Sequence, residues 1–332
     1  MMDWTDRHCR YFLRGFSATT LLYTEMIASA AIVRGDARRL LEFDAEEHPL
    51  ALQLGGSEPR ELAAAARAGQ EAGYDEINLN CGCPSERVAH GAFGACLMRD
   101  PARVADCVAA MCAAVRVPVT VKMRIAVVSG ARREVAAAIA QFNEADFEAL
   151  CGFVTAVRGA GCDAVIVHAR KAVLGGLSPK DNRQVPPLRY DVVRRLKQTF
   201  PDLPLVLNGG LRLAEPVLEA LAWCDGVMLG REAYHHPALL GQLQRLLGPG
   251  GARVPSPRQM LERMARYAER QMAAGQSLAA ITRHMLGLFA GEPGAKEFRR
   301  LLSEGARAPG AGPELLRRAA ARFAPEAAEA AA

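Results

Sequence analysis

The stretch Glu76-Ile-Asn-Leu-Asn-Cys-Gly-Cys-Pro-Ser-Glu86 alternates apolar Ile77 and Leu79 with polar residues, then gives way to Gly82 and Pro84. Alternation of period two reads as a β-strand, and the glycine and proline read as the loop that ends it. Cys83 therefore sits at a strand's carboxyl end, where parallel α/β proteins carry reactive groups on loops held by a rigid scaffold. Taken alone the thiol has two readings, a small buried hydrophobe or a catalytic group. A metal reading of Cys81-Gly-Cys83 lacks the second Cys or His pair that a ligand set needs.

Outward from this strand, apolar runs recur with helical stretches between them, the pattern of successive βα units in a parallel sheet. Strands are predicted at 21–26, 50–54, 76–80, 117–124, 164–168, 203–208 and 226–230. Helices are predicted between them at 58–72, 101–115, 147–159, 190–199, 214–222 and 237–247, the first after the start signal Ser57-Glu58-Pro59. A closed (β/α)8 barrel takes eight strands and about 250 residues. The body has that length and one strand fewer. The stretch 127–142 is Ala-rich and reads either as a short helix or as a surface loop.

Gly248-Pro-Gly-Gly251 and Pro255-Ser-Pro257 form a breaker cluster, which divides the chain into a body of residues 1–250 and a second domain of residues 251–332. Beyond it, helices are predicted at 258–273, 277–289, 296–302 and 314–323, a small bundle, with Met260, Met264, Tyr267 and Met272 at helical spacing. The final Ala-rich residues are expected to fray.

Of the 332 residues half are hydrophobic and 23% charged, enough to bury a large core. No run of 18 or more apolar residues occurs and the first residues are polar, so neither a membrane span nor a secretory leader is expected, and the cytoplasm is the expected location. Nine cysteines without a paired framework fit reduced thiols. The formal charge of +5 falls entirely after residue 252, with 13 Lys/Arg against 8 Asp/Glu there and 28 of each before it. A basic segment behind a neutral body suits a polyanion such as RNA, and equally a solvated Arg-rich helix.

Several polar residues close apolar runs. Gly209-Gly210 after Asn208, and Gly230-Arg231 after Leu229, end the last two strands. Glycines there either make turns or let backbone N–H groups approach a phosphate, and the two pairs together suggest a phosphorylated cofactor such as FMN. Gln53, Lys122 and His168 also end strands, where an amide can bond a flavin's pyrimidine edge and a lysine can stabilise charge near N1. A hydrogen-bonded structural role is the alternative for each.

Asn78-Leu-Asn-Cys-Gly-Cys-Pro-Ser85, followed by Gly91-Ala-Phe-Gly-Ala-Cys-Leu-Met98, resembles the signature of the tRNA-dihydrouridine synthases, in particular their A-type branch. The likeness runs from Met1 to about Glu304, through Ile281-Thr-Arg-His-Met-Leu-Gly-Leu-Phe289 and the segment from Gly291 to Glu304, and breaks at the stretch after Lys122-Met-Arg-Ile-Ala126. The resemblance implies a TIM barrel that lacks its first strand in this chain, since Met1–Phe12 is similar to the segment that follows that strand. It places Met1, Gln53, Lys122, His168, Asn208, Gly209, Gly210, Gly230 and Arg231 at FMN. Cys83, before the proline, is then the proton donor. Asn80 and Arg183 fall near the target uracil, and Arg170, Lys171, Arg299 and Arg300 are expected at tRNA phosphates, since cations position an RNA backbone without reading sequence.

The implied reaction is NADPH-dependent reduction of uracil C5–C6 in the tRNA D-loop, at positions 20 and 20a. FMN passes hydride to C6 and Cys83 protonates C5 as general acid, with the base swung out of its stack. No metal and no protein partner are implied. Two alternatives stand beside this reading: a flavin enzyme acting on a free pyrimidine, as dihydroorotate dehydrogenases do, and a truncated paralogue that binds tRNA without turnover.

Overall fold

The computed structural model describes residues 1–85, 93–130, 132–248 and 254–324. Glu86, Gly91 and Ala92 of the quoted motifs, Pro249 to Arg253 with the division at 250, and the Ala-rich end lie outside the described residues.

Seven strands form one sheet in the order β1 (Leu22–Ala28), β2 (Leu50–Gly55), β3 (Glu76–Cys81), β4 (Val119–Arg124), β6 (Ala164–His168), β8 (Leu205–Asn208) and β9 (Gly226–Met228). From β2 to β9 each strand pairs in parallel with the next. Helices Pro59–Ala72, Pro101–Ala114, Glu144–Gly159, Tyr190–Thr199 and Ala214–Leu221 supply the crossovers that parallel pairing requires. Sheet order that follows chain order, with a helix after each strand, is the topology of a (β/α)8-type barrel, seven of whose strands lie among the described residues. A two-stranded parallel ribbon, β5 (Val127–Val128) with β7 (Ala172–Val173), lies outside this sheet.

Each predicted strand is present, with ends adjusted by hydrogen bonding. β4 and β8 begin after Pro118 and Pro204, two residues later than the apolar pattern predicts, because proline has no N–H for the ladder. The Ala-rich stretch resolves into β5 and a helix, Arg132–Ala140. The next helix is fixed by a capping box in which Asn143 and Asp146 exchange backbone bonds of 2.9 and 3.2 Å.

Strand alternation sorts the side chains. Ile77, Leu79, Val119 and Val121 are fully or almost fully buried. Gly69 shows that one face lies under the helices: a Cβ there would come within 2.5 Å of Leu52 and 2.9 Å of Ile77, so helix Pro59–Ala72 seats directly on β2 and β3. Glu76, Asn78, Asn80, Thr120, Lys122 and Arg124 take the intervening positions and hence the opposite face.

The described chain divides into two compact units. Residues Tyr23–Glu42 and Leu50–Leu229 form one, and Met1–Leu22, Phe43–Pro49 and Gly230–Ala332 form the other. In the second unit, helix Arg7–Arg14 is started by Asp6, whose carboxylate accepts the Cys9 N–H. Tyr11 stacks on Tyr267 of helix Pro257–Ala273 at 3.9 Å, and His8 Nδ1 meets the Tyr267 hydroxyl at 2.8 Å. Phe298 packs edge-on against Phe289 at 4.7 Å and Phe323 at 5.6 Å, joining helices Ala295–Gly305 and Glu314–Phe323. Truncating such a fully buried ring costs about 3–5 kcal/mol.

The helix expected over 277–289 is regular only over Leu278–Thr282. After it the chain tightens into i to i−3 turns, Met285 N–H to Thr282 O at 3.0 Å among them, while buried His284 sits 3.0 Å from the Asp6 carboxylate.

Candidate active site

The carboxyl ends of β3 and β4 carry the densest polar chemistry of the barrel unit. Beyond β3 the side-chain oxygen of Asn80 accepts the backbone N–H groups of both Gly82 and Cys83 at 3.0 Å. The Cys83 carbonyl in turn accepts the Ala95 N–H at 2.8 Å. The thiol is half-buried on a loop pinned from both sides. Cys81, two residues earlier, is completely buried, and burial pushes its thiol well above the ordinary range. A buried neutral thiol of this kind is inert, so the two cysteines of the motif live in different chemical environments.

Two cations face the Cys83 loop from β4. Burial, and then the like charge of Arg124, push Lys122 down to about 8, while Cys83 acts in the opposite direction. Arg124 is only 3% exposed, and burial pushes it down to about 9, again opposed by Cys83. Its guanidinium donates to the carbonyls of Gly82 at 3.1 Å, Lys171 at 3.3 Å and Asn182 at 3.1 Å. Three loops are therefore tied by one side chain. Asn182, fully buried, extends the tie by bonding both the N–H and C=O of Val173.

Gln53 lies between Asn78 and Asn80. Its Nε2 donates to Asn78 at 2.9 Å, and its Oε1 accepts from Asn80 Nδ2 at 2.8 Å. At the ends of β6 and β8, His168 pairs in register with Asn208, whose amide donates to Met228 O at 2.8 Å. Gly209 and Gly210 follow with φ of +116° and +76°, the left-handed region that favours glycine. A Cβ on Gly209 would lie 2.6 Å from the His168 ring, so the turn is also a close approach.

The structure thus places Gln53, Asn80, Cys83, Lys122, His168, Asn208, Gly209 and Gly210 on the strand ends of the barrel unit. Arg170 is used by its own loop, where it donates to the Pro186 carbonyl. Arg183 lies half-buried in a single 3-10 turn, Asp181–Arg183. Lys171 is 4% exposed, and its ammonium meets Asp146 Oδ2 at 2.6 Å, which anchors the capped helix Glu144–Gly159.

Met1, Gly230 and Arg231 belong to the other unit, where the Met1 thioether lies 3.6 Å from a Cβ position on Gly230. Arg299 and Arg300, also there, are exposed on helix Ala295–Gly305, opposite buried Phe298 and Leu302.

Sequence reasoning missed Arg124, Thr120, Glu76, Asn78 and Asn182. Period two along β4 was the available signal for two of them, since Thr120 and Arg124 share a face with Lys122.

A parallel barrel with a half-exposed cysteine, one buried and one half-buried cation and a glycine turn at its strand ends defines an α/β enzyme scaffold whose chemistry sits at one rim. The chain matches the family model described as dihydrouridine synthase (Dus) over residues 1–324, and it belongs to that family. Its relatives include proteins named tRNA-dihydrouridine(20/20a) synthase. That of Xanthomonas campestris pv. campestris is 54% identical over 97% of this chain and 91% of the relative. That of Pseudomonas aeruginosa is 55% identical over 91% and 87%, and that of Vibrio parahaemolyticus 50% identical over 97% and 95%. No helix among the described residues is long and apolar enough to cross a membrane.

Proposed function

We propose that this chain reduces tRNA uridines at positions 20 and 20a to 5,6-dihydrouridine, with FMN as resident cofactor, NADPH as reductant and Cys83 as general acid. Full-length identity of 50–55% to the synthases above supports the substrate. The observation that carries the chemistry is the pinned Cys83 loop, a half-buried thiol beside Lys122 and Arg124 at a strand's carboxyl end.

The residues fit a flavin mononucleotide. One N–H of the Gln53 amide is not taken up by Asn78 and can reach a pyrimidine edge. Lys122 is a half-buried cation of the kind that offsets negative charge near N1. His168, Leu188 and Tyr190 fill the space that side chains on Gly209 and Gly210 would need, and the positive-φ turn the two glycines make after β8 is where we place the phosphate. When bound, the flavin supplies the hydride for C6 of the uracil.

The protein's own part is the proton. Reduction of C5=C6 requires H⁺ at C5, where the Cys83 S–H bond breaks as the C–H bond forms, and the resulting thiolate regains its proton from solvent. Lys122 and Arg124 stand beside the sulfur, and Cys83 acts on both against the burial that lowers their proton affinities. Arg183 and Arg170 add positive charge around Arg124, and we assign them, with exposed Arg299 and Arg300, to the RNA. Lys171, buried on Asp146, is assigned to the scaffold.

The test compares wild type with Cys83→Ala. Wild type is expected to purify with a flavin spectrum and to oxidise NADPH with unmodified tRNA but not with free uridine. Cys83→Ala is expected to keep the flavin and lose about 10²–10⁴ in rate. Full activity of that variant overturns the assignment.

A further inference from the structure

Behind the Cys83 loop runs a chain of six side chains through the interior of the barrel unit. Asn80 Nδ2 donates to Gln53 Oε1 at 2.8 Å, Gln53 Nε2 to Asn78 Oδ1 at 2.9 Å, and Asn78 Nδ2 to Thr120 Oγ1 at 2.8 Å. Thr120 Oγ1 donates to Glu76 Oε1 at 2.6 Å, and the Tyr23 hydroxyl donates to the same oxygen at 2.6 Å. Asn78 is completely buried, Thr120 is 2% exposed, and Gln53 and Asn80 are each 8% exposed. Gln53, Asn78 and Thr120 stand in register on three neighbouring strands, and Glu76 opens the strand that Asn80 nearly closes.

Every bond from Asn80 to Glu76 points the same way. A run of carboxamides has no preferred direction of its own. Turning over Asn78, Gln53 and Asn80 together keeps both amide to amide bonds and merely exchanges donor for acceptor. Direction is decided at the ends. At one end two backbone N–H groups, of Gly82 and Cys83, need an acceptor, and the Asn80 oxygen supplies it to both. At the other end Thr120 could donate or accept, but its single proton is committed to the Glu76 carboxylate, so toward Asn78 it can only accept. An ionised carboxylate accepts and never donates, so Glu76 settles the direction of every link up to the thiol loop.

We propose that Glu76 and Thr120 are positioning residues for Cys83: by fixing Thr120 as an acceptor, the Glu76 carboxylate holds the Asn80 oxygen, rather than its NH2 group, against the N–H groups of Gly82 and Cys83. They touch neither substrate nor cofactor. Burial raises the proton affinity of Glu76 above that of an ordinary carboxyl, and the hydrogen bonds from Thr120 and Tyr23 act against it in favour of the charged form. With the chain reversed, the Asn80 NH2 would meet two other donors and the loop would be released.

The inference rests on the role proposed for Cys83, and its test is read first without turnover. Thr120→Val removes the hydroxyl and nearly preserves shape; Thr120→Ser keeps the hydroxyl. Native-state hydrogen exchange in the purified protein is expected to rise about 10-fold in Thr120→Val for the peptide holding Gly82 and Cys83, through local opening. Exchange in peptides from β6 and β8 stays as in wild type. Alkylation of Cys83 by iodoacetamide, followed by peptide mass spectrometry, is expected to accelerate by a similar factor, and kcat on tRNA to fall about 10-fold with KM within threefold. Thr120→Ser is expected to return all three measurements to within about twofold of wild type. Thr120→Ala removes the same hydroxyl without adding a contact and serves if valine prevents folding.

Unchanged exchange and alkylation in both hydroxyl-free variants overturns the proposal, as does an equal defect in Thr120→Ser. If exchange responds as stated while Cys83→Ala keeps full activity, the chain orders the loop and the catalytic reading of Cys83 is what fails.

Discussion

Arg124 donates through Nε to the carbonyl oxygen of Gly82 at 3.1 Å, so a residue at the end of β4 holds the loop at the end of β3. The same guanidinium holds two further carbonyls, and among the described residues these hydrogen-bond partners are all backbone oxygens. A buried cation satisfied by backbone oxygens trades solvation for geometry.

Replacement of Arg124 tests that trade. Arg124→Leu leaves the carbonyls of Gly82, Lys171 and Asn182 without these donors and is expected to lower stability by about 2–4 kcal/mol. Arg124→Lys keeps the charge but loses the planar fork, so urea titration is expected to place it between wild type and Arg124→Leu.

Cys81 and Cys83 are expected to separate by reactivity. Iodoacetamide at pH 8 labels Cys83 in the folded protein and leaves Cys81 unlabelled, because burial holds the Cys81 thiol neutral. Cys81→Ser places a hydroxyl in that apolar site and is expected to cost about 1–3 kcal/mol. Its flavin content per folded molecule stays unchanged, as absorbance and denaturation measured side by side will show.

Lys122 gives a pH dependence with a definite sign. Its proton affinity falls from the ordinary 10.5 to about 8 on folding, so the unfolded chain binds more protons between these values. Stability contributed by this group therefore rises with pH across that window, and below pH 8 the full cost of burying the charge is present. Lys122→Met is expected to be about 1–3 kcal/mol more stable than wild type at pH 7, with the difference vanishing above pH 10.5. Denaturant midpoints at three pH values decide it.

Gly209→Ala forces a side chain onto a φ of +116° and against the His168 ring. A loss of about 1–3 kcal/mol is expected, together with a lower ratio of flavin to protein absorbance. An unaltered ratio would remove the turn after β8 from the proposed cofactor site.

The seven strands were legible because apolar residues alternate or cluster in each, and the largest shifts in their starts, two residues each, come from Pro118 and Pro204. Gln53, Lys122 and His168 could be singled out as polar residues closing apolar runs. Glu76, Asn78 and Thr120 could not, since polar residues at period two ordinarily mark the solvent face of a strand. Here that face turns inward, and a hydrogen-bonded chain fills part of the space that aliphatic side chains occupy in other barrels. Lys171 misleads for the opposite reason. Beside Arg170 it reads as surface charge, yet its partner Asp146 is 25 residues away in the chain and no local pattern announces the pair.

The stacking of Tyr11 on Tyr267 also has a consequence in time. His8 and its partner Tyr267 are separated by 259 residues, so a ribosome adding about 5–20 residues per second needs roughly 10–50 s between them. Throughout that interval helix Arg7–Arg14 has emerged without the surface that buries Cys9 and Phe12 in the finished unit. Helix Arg7–Arg14 must therefore wait for helix Pro257–Ala273, and any nascent chain that stalls before Pro257 presents that first helix's apolar face to whatever else is in solution.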